Sequence, residues 1–172
     1  MLKLNKNLLL ILVIVFAGYL SSWFLPIRGS LIGAEGAKFA IEVLQEGVNF
    51  FVSGTQTGSA KNIYEAIYYI IIGGSNILFA SCFILIVVNS KWCYFLSPLM
   101  VMSMALWIDS KNLFGYYIWV AAGIGLFSIS LLEVKKTYSL SFSSLFTTKW
   151  SLPIYVPLSI VTFLLAMQYV HI

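Results

Sequence analysis

Residues 66–88, "AIYYIIIGGSNILFASCFILIVV", decide the fold, because this run carries no charge and is long enough to cross a bilayer, yet Gly73, Gly74, Ser75 and Asn76 interrupt its centre. A bilayer's hydrocarbon core takes about 20 apolar residues in helical form. The interruption has three readings. It is a small-residue seam against another helix, a broken helix lining a path, or a phosphate cradle. The cradle fails chemically: no GK[ST] follows the glycines, and the site would lie in hydrocarbon.

The surroundings favour the same solvent. The 172 residues are 60% hydrophobic and 9% charged, where a soluble domain carries about a quarter charged residues. An apolar excess of that size belongs against lipid. Further runs of spanning length occupy Leu8–Pro26, Leu113–Leu132 and Leu152–Val170. A shorter one, Trp92–Ile108, is set off by a turn at Asp109–Asn112 and bears Pro98 near its start. The expected fold is all-α: a single polytopic membrane domain over 1–172, with about five transmembrane helices. That number becomes four if "MLKLNKN" and the apolar run after it form a cleaved signal; without a clean A-x-A site, a retained anchor is expected.

With the N-terminus in the cytoplasm, Lys3, Lys6, Lys91, Lys135, Lys136 and Lys149 fall inside, and Arg28, Lys38, Lys61 and Lys111 outside. Lys and Arg enrichment on the cytoplasmic side sets topology. The expectation is therefore N-in and C-out in a plasma membrane, in the style of a bacterial inner membrane. The scattered lysines form no basic patch, so nucleic acid is not an expected partner.

Between the first two spans, residues 27–64 form the extracytoplasmic segment, with an amphipathic helix expected near 36–52. At 100° per residue Lys38, Glu42, Gln45, Glu46 and Asn49 share one polar sector. The following "SGTQTGSAKN" reads as a flexible polar return. Residues 134–150 read as a cytoplasmic loop.

On a helix Ala66, Gly73 and Ala80 recur every seven residues, with Asn76 beside them at the expected depth of the bilayer centre. Ala121, Ala122, Gly125 and Ser128 cluster on one face of a later span. Small residues let membrane helices approach closely, and a buried asparagine adds interhelical hydrogen bonds. These two faces are expected to pack together, within the chain or against a neighbouring subunit. If the run is instead a broken helix, Gly74, Ser75 and Asn76 would line the path.

Reactive chemistry is sparse. No ionisable side chain sits near the middle of an expected span, and Glu65, Asp109 and Glu133 fall at their ends. His171 is the only histidine, and Cys82 and Cys93 form no CxxC. Met100, Met102 and Met104 are spaced by two, which spreads them around a helix rather than making a metal relay. No metal, no cofactor and no catalytic residue is expected. The expected role is a non-enzymatic small subunit or accessory protein, with the lipid bilayer and other integral membrane subunits as partners. The alternatives are a transporter or channel component and an immunity protein against a pore-forming toxin.

Overall fold

The computed structural model describes residues 6–28, 30–88, 92–107, 113–137, 139, 143–147 and 151–170. Asp109–Asn112, Lys91, Lys149 and His171 lie outside them. The chain is all-α apart from one minimal β-ribbon.

Helix α1, Lys6–Ser22, is a Leu/Ile/Val run whose end tightens into three-residue turns, Trp23 N–H to Leu20 O (3.1 Å) and Phe24 N–H to Ser21 O (3.1 Å). Pro26 has no N–H and disfavours helix in the residue before it, so the chain extends there. Strands β1 (Pro26–Arg28) and β2 (Leu31–Ile32) pair antiparallel, Pro26 opposite Ile32 and Arg28 opposite Leu31. The Leu113 N–H, just before a later helix, donates to Ile27 O at 2.9 Å and ties the ribbon down.

Helix α2 covers Gly33–Thr57, and the Glu35 carboxylate accepts the Ile32 N–H (3.1 Å) across its first turn. It runs well past the expected 36–52. "SGTQT" is helical rather than a flexible return: it docks on α3, with Gly54 close against Ile63 and Asn62 Nδ2 donating to Ser53 Oγ at 3.3 Å, while its hydroxyls bond back to Phe50 O, Phe51 O and Ser53 O. The reversal takes only Gly58, in the left-handed region at φ 67°, and Ser59, whose Oγ accepts the Asn62 N–H at the start of α3 (Ala60–Gly73).

α2 and α3 form a tight antiparallel hairpin. Its seam comes from small residues: a Cβ added at Gly54 would meet Ile63, one at Gly47 would meet Ile70, and one at Gly73 would meet the α2 backbone at Ala40 and Leu44. Helix α4, Ser75–Val87, then leaves at 51° to α3. The single span expected over 66–88 is therefore two helices. Gly74 itself keeps right-handed helical angles. The bend instead has two physical causes familiar at helix kinks, a Gly/Ser cluster and a side chain inserted into the carbonyl ladder; here the Trp107 indole N–H donates to Ile72 O at 2.9 Å.

Helices α5 (Trp92–Ala105) and α6 (Phe114–Thr137) complete a four-helix core with α1 and α4. α6 carries Lys135 and Lys136 in its last turn, so the helix continues into the segment expected as loop from 134. A four-residue helix α7 (Ser144–Thr147) precedes α8 (Leu152–Val170), which packs on α5. Leu12, Phe79, Cys82, Met100, Met104 and Leu126 fill the core centre. Between α5 and α6 the Ser97 and Ser130 hydroxyls meet at 2.7 Å. Ser130 spends its one proton on Phe127 O (2.7 Å), so Ser97 is the donor of that pair.

Apolar side chains fill the interior and also cover much of the outside. The buried polar residues are serines, whereas Leu10, Ile14, Ile84 and Phe114 are each at least 60% exposed. Among the described residues α6 is by itself long and apolar enough to cross a membrane, the bent pair α3–α4 passes that test jointly, and α1 and α5 are apolar but shorter.

Candidate functional site

The upper end of the bundle, where α1 finishes and α6 begins, gathers most of the polar side-chain geometry. Asn76, second residue of α4, accepts two hydrogen bonds on its Oδ1, from the Tyr19 hydroxyl of α1 (3.2 Å) and the Trp119 indole N–H of α6 (3.1 Å). An indole N–H only donates, which fixes the amide's orientation: the oxygen faces Trp119 and the NH2 group faces away. Tyr19 also stacks on Phe79 with centroids 3.9 Å apart and planes 8° from parallel, so three helices are pinned around this side chain.

Asn76 does not sit at mid-helix depth. Tyr19 is three residues from the end of α1 and Trp119 five from the start of α6. At 1.5 Å per residue that places the amide roughly 5–8 Å below the helix ends. The break at Gly74 moved it there, by making Asn76 an early residue of a new helix rather than the centre of a long one.

Beside the amide lies a cavity of about 90 Å³. Its floor is Ser75 and Asn76, its walls are Trp23, Trp107, Tyr116 and Trp119, and α2 closes it with Gly33, Gly36, Ala37, Phe39 and Ala40. The aromatic polar ends are engaged elsewhere: Tyr116 donates to Met104 O (3.1 Å), Trp107 to Ile72 O and Trp119 to Asn76. Ser75 is fully buried, and among the described residues its Oγ is the one buried side-chain polar atom without a hydrogen-bond partner.

The expected packing faces are distributed differently. Ala66 and Gly73 are buried, Gly73 against α2 rather than α6, and Ala80 is exposed. On α6, a Cβ at Gly125 would meet Val15 of α1, Ala122 is buried in the core, and Ala121 and Ser128 are exposed, the Ser128 hydroxyl bonding back to Ile124 O. The two small-residue faces thus serve different neighbours, α3 to α2 and α6 to α1. The reason is the bend, which carries α3 away from the bundle. Lys38, Glu42, Gln45, Glu46 and Asn49 are all exposed along α2, with Lys38 and Glu42 at 4.0 Å. Gly74, Ser75 and Asn76 do come together at the break, the last two lining the cavity.

Tyr19, Trp107, Tyr116 and Trp119 were not singled out by sequence reasoning. A signal existed: Tyr and Trp gather at span ends, and alternating spans bring the end of the first, the end of the third and the start of the fourth to one side. Among the described residues no three His, Cys, Asp or Glu side chains are grouped to hold a metal. Set against protein-family models, curated proteins and solved structures, the chain has no match.

Proposed function

We propose that the chain is a polytopic protein of the plasma membrane, N-terminus inside, that acts as a non-enzymatic accessory subunit of a larger membrane assembly. The belt of exposed Leu, Ile, Val and Phe on α1, α4, α6 and α8 supports a lipid surround. In this reading α1, α4, α5, α6 and α8 are the spans. α4, at 13 residues, is about 20 Å long and draws on the last turn of α3 to complete its crossing.

The observation that carries the reading is the face of α2. Besides its buried seam it has two exposed sectors, the polar one and an apolar strip of Ile41, Val48 and Val52 about a quarter-turn away. A helix exposing both sectors suits the interface plane, the strip touching lipid or a neighbouring span and the polar sector meeting a partner outside. Purification of the native complex in mild detergent tests this. A stoichiometric membrane protein that co-purifies with the wild type and is lost with Val48→Lys supports the role; a monodisperse monomer with nothing bound counts against it.

The 51° break, with Asn76 lining a cavity, favours a second reading, a transport component. Unchanged solute flux in liposomes carrying Asn76→Leu would remove it.

A further inference from the structure

We infer that the α3–α4 break is a two-position switch, with Trp107 as the latch that holds it bent. The basis is an exchange of hydrogen bonds across Gly74, in which each position satisfies a group that the other leaves out. In an unbroken helix the Ile72 carbonyl accepts the Asn76 N–H. Here it accepts the Trp107 indole at 2.9 Å, and Asn76, second residue of α4, has no carbonyl within its own helix for its N–H.

Ser75 carries the other half of the exchange. Buried helical hydroxyls ordinarily bond the carbonyl three or four residues back, as Ser22, Ser103 and Ser130 do here. For Ser75 those carbonyls belong to Ile71 and Ile72, on the far side of the 51° bend, and its fully buried Oγ has no hydrogen-bond partner among the described residues. With α3 in line with α4, Ser75 regains a carbonyl and Ile72 takes the Asn76 N–H, while Trp107 loses its acceptor. Unused donors are traded one set for another, so neither position holds a large advantage.

The joint can turn without refolding either helix. The Gly74 N–H already donates to Ile70 O at 3.0 Å and its carbonyl accepts the Leu78 N–H at 2.9 Å, the pattern of a continuous helix. The turn also carries a load. Gly47, Gly54 and Gly73 bring α2 and α3 into close contact, and Phe50 of α2 stacks on Tyr69 of α3, so α2 travels with α3. Trp107 meets both helices of this hairpin, edge-on to Phe39 and bonded to Ile72 O, and the cavity of about 90 Å³ leaves α2 loosely seated beside it. Whatever draws α2 from the indole ring therefore draws α3 from the indole N–H, and the break passes that displacement to Asn76 inside the bundle.

Paired nitroxides at Lys61→Cys and Val87→Cys, both exposed positions, measure the bend by double electron–electron resonance in nanodiscs. At a rise of about 1.5 Å per residue the separation is about 35 Å with the 51° bend and about 39 Å in line. Trp107→Phe, which keeps a ring and removes the donor, should raise the long-to-short ratio roughly two- to tenfold, and adding Ser75→Ala should return it by a similar factor. A Gln45→Cys and Lys61→Cys pair, both within the hairpin, should keep its distance in Trp107→Phe. Ser75→Ala alone should melt at or above the wild-type midpoint, because the bent position leaves its hydroxyl unused. An unchanged ratio in Trp107→Phe, no return on adding Ser75→Ala, an altered distance within the hairpin, or a lower Ser75→Ala midpoint would each overturn the switch.

Discussion

Replacing Gly73 with alanine tests the geometry of the α2–α3 seam, because its neighbours are backbone and cannot swing aside. An added Cβ would stand 2.6 Å from both Ala40 O and Leu44 N and 2.8 Å from Leu44 Cα, whereas ordinary contact begins at 3.4 Å. The helices must separate by about 0.8 Å there, a difference between those two distances. Overpacking of this kind costs roughly 1–3 kcal/mol, and alanine's better helix propensity returns up to about 1 kcal/mol. A net loss of about 1–2 kcal/mol is expected, or a midpoint lower by about 2–8 °C at this chain length.

Two other glycines make internal controls. Gly18, in α1, has nothing within 4 Å of an added Cβ, so Gly18→Ala should stabilise by up to about 1 kcal/mol. Gly58 also has open space but sits at φ 67°, so Gly58→Ala should cost about 1–2 kcal/mol through the backbone alone, and Gly58→Asn should recover part of it. Thermal unfolding in nanodiscs followed by tryptophan fluorescence reads all four, since Trp107 borders the seam through Phe39 (centroids 5.9 Å). A Gly73→Ala midpoint equal to or above that of Gly18→Ala would refute the close approach.

Asn76→Leu should lose about 1–4 kcal/mol, because it strips the acceptor from two partly buried donors; a thermal midpoint equal to the wild type's would refute the node. Ser130→Ala should be costlier than Ser97→Ala by about 1 kcal/mol, since Ser97 donates to Ser130 and not the reverse; equal midpoints would contradict that donor assignment. Cys82 and Cys93 are buried, free thiols, so a membrane-permeant maleimide should label both only after unfolding in SDS, and rapid labelling of the native protein would show that the core packing is wrong.

The helical character of the chain was legible because long apolar runs admit little else, and the polar sector of α2 was legible from its period. Three features were not. The extension of α2 through "SGTQT" depends on packing against α3, where Gly54 meets Ile63 and Asn62 donates to Ser53, which composition disguises as a loop. The partner of the Ala66/Gly73 stripe is set by tertiary direction: a seven-residue repeat of small residues says that something approaches, not which helix does. The break at Gly74 needed Trp107, 35 residues along the chain, to occupy the Ile72 carbonyl, a contact that no local window contains.

The break, the amide node and the cavity are consequences of one another. Once α3 turns aside to follow α2, Ser75 cannot reach back to a helical carbonyl, and Asn76 is delivered to the upper end where Tyr19 and Trp119 converge. Met100, Met104 and Phe79 are fully buried in the core. At this end α2 passes with Gly33, Gly36, Ala37 and Ala40, residues too small to fill the gap left by the bend. Larger side chains on that stretch of α2 would close the space. The small residues of α2 and the break between α3 and α4 therefore form one unit: the break opens the space, and the small residues leave it open.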